Sequence, residues 1–146
     1  MTQSVLAAVD LGPGTEAVVQ FASTVARGLG GGLTVLHVIS PEEQQDRAHN
    51  PGDSRFVDVM VDETVRTLRE RADAAGAGDL PLRCVARVGD PVDAVLAEGA
   101  ENDAVIVIGM RRRSRVGKFL LGSDLQEILL AARSPIVAVP LEEDAP

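Results

Sequence analysis

The chain of 146 residues predicts a doubly wound α/β fold, a parallel sheet with helices on both faces. Two observations carry this. Short apolar runs alternate with segments of helical period from end to end, in the order β-α-β-α-β-α-β-α-β, which is what parallel strands joined by crossover helices require. The runs at Ser4–Val9 (SVLAAV) and Ala104–Ile108 (AVIVI) lack the polar alternation of a half-solvated strand, so both are expected to be covered on both faces.

The first strand, Ser4–Val9, stops at Asp10, and Gly12-Pro13-Gly14 breaks the chain behind it. Val18, Phe21, Ala22, Val25 and Leu29 then recur at helical spacing, with Thr15 as N-cap and Gly28 and Gly30 to Gly32 as the stop. Leu33–Ile39 (LTVLHVI) is the second strand. Ser40–Ser54 is polar and holds Pro41, Pro51 and Gly52, so it reads as a long loop, a length often found in lids. Arg55–Ala75 reads as a helix on the stripe Val57, Val61, Val65, Leu68, Ala72 and Ala75, ended by Gly76 and Gly78.

Leu82–Val88 sets Leu82, Cys84, Ala86 and Val88 against Arg83 and Arg87, a strand with one wetter face near a sheet edge. Asp90 caps the next helix, Pro91 takes its first position, and Asp93 lies where the helix dipole favours an anion. That helix reaches Ala100, and Ala104–Ile108 is the fourth strand. Ser123 and Gln126 form a capping box for the last helix, Ser123–Arg133, with Leu125, Ile128, Leu129 and Ala132 as its buried stripe. Pro135 blocks that helix, Ile136–Val139 is the fifth strand, and LEEDAP is an acidic tail. No repeat or linker divides residues 1–146, which read as one domain.

Charge and composition exclude several functions. The net charge is −8 with only 14 Lys and Arg, which argues against a nucleic-acid binder working by bulk charge. The only aromatic residues are 3 Phe, too few for base-stacking platforms. No apolar run is long enough for a transmembrane helix, the N-terminus lacks the basic segment of a signal peptide, and Cys84 is alone; a cytoplasmic location is expected.

Against this acidic background, Arg111, Arg112, Arg113, Arg115 and Lys118 crowd between the fourth strand and the last helix. A basic segment at a strand end, next to a helix N-terminus, is suited to an anion, because unpaired backbone N–H groups and the helix dipole favour phosphate. In doubly wound sheets ligands bind beyond the carboxyl ends of the strands, where strand order reverses. If the first and fourth strands are neighbours, Asp10 and Gly109 face one crevice.

The residues Val9-Asp10, Leu36-His37-Val38, Gly89-Asp90-Pro91, Gly109 through Gly122-Ser123, and Ser134 to Pro140 resemble the universal stress protein family over nearly the whole chain. The resemblance implies a five-stranded parallel sheet of order 3-2-1-4-5 with helices on both faces, and a homodimer paired through the last strand. It also implies ATP as ligand, with or without Mg²⁺, in the branch carrying Gly, two residues, Gly, nine residues, then Gly-Ser or Gly-Thr. Here Gly109 and Gly122-Ser123 match at the right spacing, and Arg112 replaces the middle glycine. Carried over by position, Ala8 and Asp10 border adenine and ribose, and Val38 contacts the adenine edge. Gly109, Met110, Arg111, Arg112, Arg113, Ser114, Arg115, Gly122 and Ser123 hold ribose and phosphates.

Arg112 leaves two readings open. It contacts phosphate in place of the missing backbone approach, or it fills the phosphate space, and the protein is then a nucleotide-free dimer acting through protein contacts. Another anionic metabolite, such as a cyclic nucleotide, is a third. Gly122-Ser123 also serves as loop end and cap, His37 in its apolar strand reads as a packed core histidine, and Cys84 reads as a small core residue. Val116-Gly117-Lys118-Phe119 fails as a Walker loop, since Arg112 and Phe119 stand where Gly and Ser or Thr are needed. No catalytic triad signature, HExxH motif or metal cluster nominates an enzyme.

Overall fold

The computed structural model describes residues 3–47, 54–111 and 122–141. The elements are β1 (Val5–Ala8), α1 (Thr15–Leu29), β2 (Leu33–Ile39), α2 (Pro41–Arg47), α3 (Ser54–Ala74), β3 (Leu82–Val88), α4 (Pro91–Glu101), β4 (Val105–Arg111), α5 (Ser123–Ala131) and β5 (Ile136–Leu141). All four strand pairings are parallel, and the order is β3-β2-β1-β4-β5. The expected α/β sheet is therefore present, with β1 central and β3 at an edge.

Successive strand side chains point to opposite faces, so a strand covered on both sides has to be apolar throughout. β1 meets this: Val5 and Ala7 join a core with Val19, Val35, Leu68 and Val107, while Leu6 and Ala8 join another with Leu36, Val95, Ile106 and Ile128. A smaller core beside β3 holds Ile39, Met60 and Ala86. Asp90 caps α4 as expected, accepting from Asp93 N, with Pro91 opening the helix.

β1 is Val5–Ala8, α5 ends at Ala131 rather than Arg133 and β5 runs to Leu141 rather than Val139, and four further differences from the sequence reading have a clear physical cause. The N-cap of α1 is Gly14 at φ 95, not Thr15. A left-handed residue is needed there, and a Cβ would approach Leu141 Cδ1 to 2.9 Å, so only glycine fits. Thr15 sits one position inside and donates from Oγ1 to Gly12 O at 2.8 Å. The expected long loop begins with α2, which buries none of its residues and so has no apolar stripe. β4 continues past Ile108 because its ladder with β5 continues, pairing Gly109 with Val139, Met110 with Pro140 and Arg111 with Leu141. Finally, the N-cap of α5 is the extended Gly122, whose carbonyl accepts from Gln126 N at 3.0 Å, so Ser123 is the first helical residue and the capping box does not form.

Candidate functional site

Parallel pairing sets Ala8, the last residue of β1, beside Leu36 on one side and Ile108 on the other, and β2 and β4 run on past it to Ile39 and Arg111. The loop after β1 leads to α1 on one face and the chain after β4 leads to α5 on the other, so the two part and leave a crevice. A cavity of about 340 Å³ opens there. Ala8, Asp10, Val38, Gly109, Arg111 and Gly122 all line it. Met110 does not. Ser123 is also outside the lining, and Asp124 stands there instead. Arg112, Arg113, Ser114 and Arg115 lie outside the described residues.

The turn between β1 and α1 forms one wall. Asp10 Oδ1 accepts from Gly12 N at 2.8 Å, which folds the turn back on the side chain. Its other oxygen, Oδ2, lies 3.8 Å from Arg111 Nη2, and Arg111 also donates to Pro13 O. Arg111 thus spans the crevice mouth from β4 to the turn. Leu11 carries a left-handed φ of 62, uncommon for a residue with a side chain.

From behind the turn, Arg71 on α3 donates through Nη1 to Leu11 O at 2.5 Å and through Nη2 to Gly12 O at 3.1 Å. The same guanidinium grips Glu16 with Nε and Nη2 at 2.7 and 2.9 Å. This hydrogen bonding holds the Glu16 carboxyl below its ordinary range and raises Arg71 in turn. At the opposite wall His37 is buried, as expected, and both ring nitrogens are engaged: Nδ1 with Val9 O at 2.8 Å and Nε2 with Glu43 Oε1 at 2.9 Å. Glu43 also accepts from Arg47 at 3.0 Å.

Periodicity did not nominate His37, Glu43, Thr15 or Leu141 for the crevice, although all four line it. The signal for Glu43 was present: Ser40-Pro41-Glu42-Glu43 has a capping serine, proline at the first helical position and glutamate at the third. Ser40 Oγ does accept from Glu43 N, at 3.2 Å. Gly109 packs closely, since a Cβ there would come within 2.7 Å of Leu141 Cδ1 and 3.2 Å of Val18 Cγ2 and the Leu141 side chain would have to shift.

The crevice therefore joins apolar walls, a carboxylate, an arginine and the start of a helix, the makings of a small-ligand site. Among the described residues no three His, Cys, Asp or Glu side chains are grouped to hold a metal ion, and no helix is long and apolar enough to cross a membrane. Cys84 is half-buried on β3 outside the cavity lining, and burial pushes its thiol up, away from the reactive thiolate.

A crevice at the switch point of a 3-2-1-4-5 parallel sheet defines a doubly wound α/β protein. The chain matches the universal stress protein family model over residues 1–140, and it belongs to that family. Solved structures share the fold. Hypothetical protein MJ0577 superposes at TM-score 0.76 with 14% identity, covering 99% of both chains. A universal stress protein in complex with cAMP gives TM-score 0.65 and 24% identity over 94% of this chain and 96% of its own. The Archaeoglobus fulgidus universal stress protein in complex with dAMP gives 0.59 and 21% over 95% and 98%. Comparison with curated protein sequences finds no match.

Proposed function

We propose that this is a cytoplasmic stress-response protein that binds an adenine nucleotide, with ATP the leading ligand, in the crevice between the ends of β1 and β4. The observation that carries the proposal is the gathering of Ala8, Asp10, Val38, Gly109 and Gly122 around one cavity of about 340 Å³, at the lower end of the size range of small-molecule sites. Ala8, Val38, Val95 and Ile108 offer apolar surface for a base. Among the described residues Asp10 Oδ2 has no backbone partner, and it suits a ribose hydroxyl. Arg111 and the N-terminus of α5 suit phosphate, by charge-assisted hydrogen bonding and by the helix dipole.

Support also comes from the family's cAMP and dAMP complexes. The reading is of a binder rather than a catalyst. Calorimetry at low salt with ATP, AMP, cyclic AMP and adenosine, each with and without Mg²⁺, tests it. Binding of at least one phosphorylated ligand more tightly than adenosine is expected. Absence of binding at millimolar ATP would overturn the reading in favour of a nucleotide-free protein.

We further propose a homodimer paired through β5. Ile136, Val137, Ala138 and Val139 are only half-buried on that edge strand, and Leu130, on the helix leading into it, is 82% exposed. An apolar edge invites pairing, and a two-fold axis covers it with its own copy.

A further inference from the structure

We propose that Arg71 is a positioning residue for the crevice: from α3 it holds the β1–α1 turn in the conformation that presents Asp10 to the ligand. The inference rests on the nucleotide reading, because the ligand is what Asp10 is presented to. Arg71 itself lines no part of the cavity, so it acts through the turn.

Three observations support it. First, the guanidinium spends its donors on the turn and on Glu16 together. The Glu16 fork, at 2.7 and 2.9 Å, fixes the plane of the group so that Nη1 and Nη2 also reach Leu11 O and Gly12 O. Lysine has no planar fork and cannot reproduce that pattern.

Second, the turn is under local strain at Leu11, with φ 62. Such a residue persists only where its surroundings over-determine it. Here the determinants are Arg71 on its carbonyl, the Asp10–Gly12 hydrogen bond at 2.8 Å, and the Leu11 side chain packed on the core under α1.

Third, the carbonyls of Leu11, Gly12 and Pro13 are all claimed, the first two by Arg71 and the last by Arg111 across the crevice. Asp10 lies 3.8 Å from Arg111, and its charge also acts on Arg71. Arg111 sits where a phosphate would compete for it. Arg71 sits behind the turn, so its hold persists when ligand draws Arg111 away.

The test uses Arg71→Gln and Arg71→Lys, with Arg27→Gln as control. Arg27 likewise joins a backbone carbonyl and a carboxylate, donating to Gly76 O at 2.8 Å and Asp79 at 2.7 Å, near the far end of α1 from the crevice. Nucleotide Kd is measured by calorimetry well below each variant's Tm, and exchange of the Gly12 and Thr15 amides by hydrogen–deuterium exchange. Arg71→Gln should raise Kd about tenfold, the loss of roughly one well-made hydrogen bond's ordering. Arg71→Lys should raise it less, and Arg27→Gln should leave it within about twofold. The two turn amides should exchange faster in Arg71→Gln, less so in Arg71→Lys, and at the wild-type rate in Arg27→Gln.

Equal changes in Kd for Arg71→Gln and Arg27→Gln would make Arg71 a stability residue and overturn the proposal. A wild-type protein that binds no nucleotide would remove the nucleotide reading. Exchange then decides by itself: equal protection of Gly12 and Thr15 in both variants overturns the positioning role.

Discussion

Glu16 and Arg71 form a contact that no inspection of neighbouring positions could find, since they lie 55 residues apart. The pair is half-solvated, with Glu16 at 47% side-chain exposure, so screening limits its contribution to about 0.5–1 kcal/mol. Its pH dependence has a definite sign. The folded Glu16 carboxyl sits below its ordinary value of 4.5, held there first by the Arg71 hydrogen bond. Its stabilisation is therefore complete above that value and is lost as pH falls through the lower folded one. Urea denaturation of Glu16→Gln against wild type should show a gap near neutral pH that closes in acid well below 4.5. A gap of constant size across that range would contradict the assignment. Residues that act through the local chain were readable: Asp90 and Pro91 start a helix by rules that need no tertiary contact. The caps at Thr15 and Ser123 came out one position late, because in each case a preceding glycine supplies the cap without a side chain to signal it.

At the scale of elements, strands and long helices were readable because each carries an apolar face that must be buried. α2 was not, because it buries nothing. Polar contacts hold it instead: Glu43 to His37 at 2.9 Å, Arg47 to Glu43 at 3.0 Å and Arg47 to Thr64 at 2.9 Å. Glu43 takes part in two of the three. Glu43→Ala should therefore release α2 while leaving the cores intact. Amides of residues 44–47 should lose protection by tenfold or more, on the order of one to two hydrogen bonds, with a fall of only about 1 kcal/mol in global stability. Unchanged protection there would show that α2 is held by something other than these contacts. The end of β4 was hidden for a different reason: charged residues after Gly109 resemble a loop, and only pairing with β5 extends the strand.

For the molecule as a whole, the α/β alternation was enough to predict a parallel sheet, and the order 3-2-1-4-5 came with the family resemblance. The crevice was readable in part: a strand end and motif glycines mark its edge, whereas Glu43 reaches it from α2, which carries no apolar period, and Leu141 from the end of β5, distant in sequence from β1. The proposed dimer is a property of this scale too. Light scattering at micromolar concentration should give twice the 15.3 kDa chain mass. Leu130→Asp, placed on an 82% exposed side chain, should cost the monomer less than about 0.5 kcal/mol and weaken association tenfold or more. A monomeric wild type at that concentration would count against the pairing.

The central place of β1 also governs when the sheet can assemble. Val5 is fully buried between Leu33 on one side and Val105 on the other, and the second neighbour is encoded a hundred residues after the first strand. At ribosomal speeds of roughly 5–20 residues per second, β1 waits about 5–20 seconds for that partner. Until then β2 can cover only one of its edges, and the apolar face meant for α4 and α5 has nothing to lie against. The strand that makes the finished sheet most secure is thus the one that leaves the nascent chain exposed for longest, so the slow, non-local closure of β1 on β4 is the step at which folding and aggregation compete.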